Sequence, residues 1–212
     1  MPPLSPKSRA RQRTRAAREN LPPEGRESLH TATQNHLRRV ISGVAGEQPC
    51  CVAAYAPLPG EPGGADLPEF LLSTGARVIL PRIVPISGAA EAGLTGPLAK
   101  QLEWVEFTGD NLHSGTWGIR EPAGEPITHV DELCQLFIVP ALAVDYRGYR
   151  LGQGGGFYDR AFASFSPQPT FAGNVYALIN DEEFVPEIPA EPHDLTVNAV
   201  ITPSGVHITS HP

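Results

Sequence analysis

Nine consecutive residues, Leu136 to Val144 (LFIVPALAV), carry neither a charge nor a side-chain hydrogen-bonding group. A strand with one wet face alternates apolar and polar residues. An unbroken apolar run reads instead as a strand covered on both faces. The same texture recurs in CCVAAYAPL (50–58), RVILPRIV (77–84), VYALI (175–179) and AVIT (199–202). Helical segments fall between these runs. In 24–44, Leu29, Thr33, Leu37, Val40, Ile41 and Val44 share one helical face. ADLPEFLLSTGA and FYDRAFASF read as shorter helices, the first stopping near Gly75. LEWVEF (102–107) reads as a strand of alternating character, and 108–130 as a polar loop. Buried strands alternating with helices predict an α/β fold. The expectation is a single three-layer α/β/α domain over residues 1–212, with a largely parallel central sheet and Rossmann-like topology.

Composition removes several function classes. Hydrophobic residues make up 41% of the chain, enough for a real core. No apolar run approaches the roughly 18 residues of a membrane span. The basic N-terminus is not followed by an apolar stretch, so it is not a secretory signal. The three cysteines, Cys50, Cys51 and Cys134, lack CxxC spacing and read as buried thiols of a reducing cytosol. The net charge is −7, yet Lys7, Arg9, Arg11, Arg13, Arg15 and Arg18 crowd the first 18 residues. On a helix over 7–19, Lys7, Arg11, Arg15 and Arg18 lie along one face. That face is a solvated surface, a nucleic-acid arm, or a reach toward a bound polyphosphate.

The loop after the central apolar run carries RLGQGGGFYDR (150–160), with four glycines among positions 152 to 156. Loops leading from parallel strands into helices form the ligand crevice of such folds. Glycines there let backbone N–H groups converge on an anion, and the following helix start adds further donors. Arg150 supplies a charged fork suited to phosphate oxygens. The string is neither a Walker A loop nor a dinucleotide fingerprint, and a tight turn for close strand–helix packing is the alternative. Asp159 reads either as a first-turn acid favoured by the helix dipole or as a carboxylate holding Mg²⁺ beside a phosphate.

Taken together, VPALAVDYRGYRLGQGGGFYDR (139–160), KSRAR (7–11) with AAR (16–18), YAPLPGEP (55–62), ILPRI (79–83), WGIREP (117–122) and IPAEPHDLTVNAVIT (188–202) resemble, in order, the motifs of the 5-formyltetrahydrofolate cyclo-ligase family. The resemblance covers nearly the whole chain. It implies an ATP-dependent ligase that forms a C–N bond. Such an enzyme turns 5-formyltetrahydrofolate into 5,10-methenyltetrahydrofolate, with ADP and phosphate as the other products and Mg²⁺ as the cofactor. A non-catalytic folate- or nucleotide-binding protein on the same scaffold is the alternative.

The resemblance also implies roles. Lys7, Arg11, Arg150, Gly152, Gly154, Gly155, Gly156, Phe157 and Tyr158 would bind ATP, with Arg150 and Tyr158 acting in catalysis. Ala56, Glu61, Trp117, Gly155 and Phe157 would bind the folate, and Asp159 and Asp194 would hold Mg²⁺. Residues 1–20 would form a basic helix packed on the ATP site. The implied protein is a cytoplasmic monomer acting on two small molecules, with neither nucleic acid nor membrane as partner. Three positions depart from the family's pattern. Phe157 stands where a tyrosine is common, the glycine run has no lysine, and Glu183 replaces an expected glutamine. His193 reads as structural.

Overall fold

A computed structural model describes residues 4–46, 49–165 and 174–210. Its helices are α1 (Pro6–Glu19), α2 (Pro23–Val44), α3 (Leu67–Ser73), α4 (Val130–Leu133) and α5 (Phe157–Ala163). The first strands are β1 (Cys51–Ala53), β2 (Arg77–Pro85), β3 (Lys100–Phe107), β4 (Leu112–Ser114), β5 (Arg120–Pro122) and β6 (Pro126–Ile127). They are followed by β7 (Leu136–Pro140), β8 (Ala143–Asp145), β9 (Arg150–Leu151), β10 (Val175–Leu178), β11 (Phe184–Val185), β12 (Ala199–Thr202) and β13 (Gly205–Ile208). Among the described residues, no helix is long and apolar enough to cross a membrane.

The fold is mixed α/β around an eight-stranded sheet in the order β13-β12-β10-β7-β1-β2-β3-β6. Its five central strands are mutually parallel, and β3, β6 and β13 close the edges antiparallel. The unbroken apolar runs now have a cause. Val52, Val78, Leu80, Leu136 and Ile138 point into one core with Leu37 and Ile41 of α2 and Leu67 and Leu71 of α3. Their chain neighbours Cys51, Ala53, Ile79, Phe137 and Val139 point into a second core, with Val130 of α4 and Phe162 of α5. Successive side chains of a strand face opposite ways, so two buried faces demand apolar residues at every position.

Three expectations need correction. The run 136–144 is not one strand: β7 ends at Pro140, and the chain re-enters as β8 in a second, three-stranded sheet ordered β11-β8-β9. The carbonyl of Ala141, in the break, accepts from Arg18 Nη2 at 2.7 Å. The stretch 50–58 pairs only over Cys51–Ala53, because the chain after it turns into the crevice. The polar stretch 108–130 is not a plain loop either: β4 and β5 form a hairpin within it, and β6 joins the main sheet.

A buried carboxylate shapes the connection from β8 to β9. Asp145 is fully buried, and its Oδ1 accepts from the N–H groups of Arg147 and Tyr149, both at 3.0 Å. This reverses the chain within a few residues, so β9 lies antiparallel to β8 and delivers Arg150 beside the end of β7.

Candidate active site

Among the central strands, β1 lies between β2 and β7, so the chain leaves β1 toward one side and returns to the other. A crevice opens at the C-terminal ends of parallel strands at such a reversal. A cavity of about 700 Å³ occupies that place. Lys7, Arg11, Ala56, Glu61, Trp117, Arg150, Gly152, Gly154, Gly155, Gly156, Phe157, Tyr158, Asp159 and Asp194 all line it. Every residue to which the resemblance gave a site role therefore borders one space.

The glycines of the loop serve different needs. A Cβ at Gly152 would lie 2.7 Å from Arg150 Nη1, so a side chain there would displace the guanidinium. Gly154 (φ +104°) and Gly156 (φ +65°) occupy the left-handed region, where a side chain is strained. Gly156 is the N-cap of α5. The loop is thus a tight strand-to-helix turn whose backbone also borders the cavity, so the two sequence readings of it are compatible.

Arg150 is used differently from the open fork expected of it. Its side chain is 4% exposed, Nη1 donates to the Pro140 carbonyl at 3.0 Å, and Nη2 pairs with Asp159 Oδ1 at 2.9 Å. Nε is buried and has no acceptor among the described residues. The guanidinium also lies 5.6 Å from the centre of the Tyr158 ring. Burial works to raise the Asp159 carboxyl, but Arg150 and the Leu195 N–H (3.0 Å) outweigh it and hold the group below its ordinary range. Burial also drives the Tyr158 phenol well above its ordinary pKa, so it stays protonated near neutrality.

The basic face of α1 turns inward. Ser5 caps the helix, accepting from the Ser8 N–H at 3.1 Å, and Pro6 occupies its first position. Lys7 Nζ donates to Glu191 Oε2 and Asp194 Oδ2, each at 2.7 Å. Desolvation opposes its charge, but the two carboxylates prevail and raise its pKa. Arg11 Nε donates to the Gly152 carbonyl at 2.9 Å. Arg15 Nη2 donates to the Gln153 carbonyl at 3.0 Å and to its Oε1 at 2.7 Å. Arg18 departs from the expected polyphosphate reach, because it is buried against Glu183.

On the opposite wall, Glu61 is 8% exposed. Its Oε2 accepts from the Leu58 N–H at 2.9 Å, and its Oε1 from Gln153 Nε2 at 3.0 Å. Gln153 therefore links the N-terminal helix, the glycine loop and Glu61. Trp117 is 58% exposed, with its backbone at φ +57°, a conformation costly for a bulky residue. Its ring meets Phe157 edge-on at 5.9 Å, and Lys100 Nζ lies 4.9 Å from it. Phe157 keeps the packing of an aromatic at its position, with Arg160 stacked 5.1 Å from its ring.

Sequence reading assigned no site role to Glu121, Gln153 and Glu191 and a structural one to His193, yet all four line the cavity. Glu191, His193 and Asp194 bring their ligand atoms within 4.8 Å of one another. Their spacing in EPHD was the available signal. Asp159 is instead paired with Arg150, and Asp194 with Lys7. The cysteines behave as expected: all three are buried and free, with Cys51 Sγ 3.3 Å from Cys134 Sγ.

Comparison with known proteins gives a consistent result. Residues 4–203 match the 5-formyltetrahydrofolate cyclo-ligase family. A 5-formyltetrahydrofolate cyclo-ligase of Mycolicibacterium smegmatis is 36% identical over 206 residues, covering 94% of this chain and 96% of the relative. One from Escherichia coli K12 is 31% identical over 155 residues, covering 73% of this chain and 79% of the relative. The NMR structure of Aquifex aeolicus 5,10-methenyltetrahydrofolate synthetase shares the fold with a TM-score of 0.74 at 24% identity, covering 98% of this chain and 95% of that one. The Mycoplasma pneumoniae 5,10-methenyltetrahydrofolate synthetase superposes with a TM-score of 0.64 at 16% identity, covering 93% and 98%. With its motifs in order, its fold shared and most of its length matched, the chain belongs to the 5-formyltetrahydrofolate cyclo-ligase family.

Proposed function

We propose that this protein converts 5-formyltetrahydrofolate to 5,10-methenyltetrahydrofolate, with ATP becoming ADP and phosphate. One observation carries the reading. A loop suited to anions and a buried carboxylate suited to N–H donors face the same cavity and are joined through Gln153. A formamide oxygen is a poor leaving group. Transfer of the γ-phosphoryl group to it gives an iminium phosphate, which N10 attacks before phosphate departs. The protein's task is to align two ligands and stabilise phosphate charge.

In this reading Lys7, Arg11 and the backbone of Gly152 to Gly156 surround the ATP phosphates, with Phe157 and Tyr158 walling the nucleotide. Arg150 Nε has no acceptor among the described residues, and we assign a phosphate contact to this guanidinium. Tyr158 acts as a neutral hydrogen-bond donor. Glu61 takes paired N–H groups of the pterin, as it takes those of Leu58 and Gln153 in the free protein. Ala56 and Gly155 leave room for the folate, and Trp117 stacks with it beside Phe157.

The donor set fits Mg²⁺, which prefers carboxylate oxygens. Asp159 and Asp194 would hold it, with Glu191 beside Asp194. The ion would neutralise charge developing on the phosphates. Lys7 Nζ now bridges Asp194 and Glu191, so a cation is already accommodated there.

The same reading makes the protein a three-layer, Rossmann-like single domain with its N-terminal helix packed on the ATP site. We take it to be a cytoplasmic monomer whose partners are two small molecules. The engagement of Lys7, Arg11, Arg15 and Arg18 with the protein's own groups speaks against a nucleic-acid arm. The test is appearance of the methenyl product with Mg-ATP, and no product would refute the reading.

A further inference from the structure

Glu121 is a cavity carboxylate to which nothing above gives a task. It lies on β5 in the hairpin that carries Trp117, is 5% exposed, and lines the cavity with Ile83 and Ile119. Among the described residues its carboxylate takes one hydrogen bond, a long one, with Oε1 accepting from the Ile83 N–H at 3.2 Å. Its neighbour Arg120 turns away, pairing with Glu69 at 3.0 Å and donating to the Ala65 carbonyl. Among the described residues, no ion pair reaches Glu121. The chain also makes room for it, since a Cβ at Gly115 would overlap the Glu121 carboxyl group.

The other cavity acids are engaged. Asp159 is neutralised by Arg150, and Asp194 and Glu191 by Lys7. Glu61 has an N–H on each oxygen. A buried carboxylate without a cation is costly unless a ligand supplies the missing charge or donor. Among the described residues, Glu121 is thus the cavity carboxylate that has neither a cation nor a hydrogen bond on each oxygen.

The reaction proposed above requires such a group. When N10 attacks the formyl carbon, the N10–C bond forms and N10 becomes cationic while still carrying its proton. That proton must leave before the nitrogen lone pairs can expel phosphate with the C–O electron pair. The product is an amidinium whose positive charge spreads over N5 and N10. We propose that Glu121 is a catalytic residue that accepts the N10 proton and whose position favours the cationic product. This rests on the cyclo-ligase reading. It assigns the group that receives the proton and selects cation over neutral ligand.

Glu121→Gln keeps the shape and removes the basic group. With saturating Mg-ATP and 5-formyltetrahydrofolate, kcat should fall on the order of 100-fold while the KM for ATP stays unchanged. Equilibrium binding without ATP gives a readout independent of turnover. The wild-type preference for methenyltetrahydrofolate, a cation, over 5-formyltetrahydrofolate, uncharged at the pteridine, should shrink about tenfold in Glu121→Gln. Glu121→Asp retains a carboxylate and should retain that preference, which guards against a packing defect in the amide. A Glu121→Gln protein with wild-type kcat would overturn the proposal, as would an unchanged cation preference or its equal loss in Glu121→Asp. A wild-type protein that makes no methenyl product would refute the cyclo-ligase reading instead, and the binding ratio would still judge Glu121.

Discussion

Arg18 and Glu183 clasp each other through two parallel bonds of 2.7 Å, Nε to Oε1 and Nη2 to Oε2, at sites 6% and 8% exposed. Glu183 Oε2 also accepts from the Asn180 N–H at 2.8 Å. Desolvation opposes the Arg18 charge, but Glu183 outweighs it. The bidentate pair fixes the end of α1, while Lys7, Arg11 and Arg15 nearer its start bind groups at the cavity edge. The departure of Glu183 from glutamine thus has a physical role, since a carboxylate can neutralise the buried guanidinium and an amide cannot.

Replacing Arg18 with Met should leave Glu183 buried without its counter-charge and cost about 3–5 kcal/mol. Thermal or urea unfolding would measure the loss. The same variant should raise the KM for ATP more than that for folate, because the basic helix loses its anchor. Wild-type stability would show that the pair is not worth its burial.

Arg150→Met removes the charge that holds the Asp159 carboxyl low, leaving burial to push it upward. An acid with a depressed folded pKa contributes stability fully above its unfolded value, about 3.9, and loses it as pH falls through the folded value. In Arg150→Met this acid-side loss should therefore shrink or reverse, because a carboxyl pushed above its unfolded value binds its proton more tightly in the folded protein and gains stability as pH falls. Melting temperatures from about pH 6 to pH 3 would show this. The KM for ATP should also rise, and unchanged ATP dependence would count against the phosphate role of Arg150.

Trp117 sits at φ +57° and is mostly exposed, so its strain is not repaid by core packing. Trp117→Gly should leave stability unchanged or raise it by about 1 kcal/mol, while the KM for folate rises at least tenfold. Loss of stability together with unchanged folate affinity would contradict the stacking role.

Glu61→Gln should weaken folate binding far more than ATP binding, by about 1.5–3 kcal/mol, since hydrogen bonds to a charged acceptor are lost. Separate titrations with the two ligands would resolve this. Equal weakening of both would point to a collapsed loop instead.

The two-faced core was legible because it leaves a continuous signature: Val52 and Ala53, or Phe137 and Ile138, must both be apolar when they face different cores. The break at Ala141 was not legible, because an apolar run says nothing about which sheet it joins. The site residues emerged through motifs, and geometry altered how some of them work. Arg150 is a buried buttress for Asp159 as well as a cavity residue, which a glycine-rich string does not disclose. Glu121 and Gln153 were passed over because their importance lies in partners 38 and 92 residues away, Ile83 and Glu61. A local pattern cannot carry that information.

The central claim is tested most directly by mixing purified protein with 5-formyltetrahydrofolate and Mg-ATP and following methenyltetrahydrofolate by its absorbance. The account predicts steady product formation that requires ATP, with one ADP released per methenyl group formed. ATP and folate that bind without turnover, or product that appears equally without ATP, would contradict it.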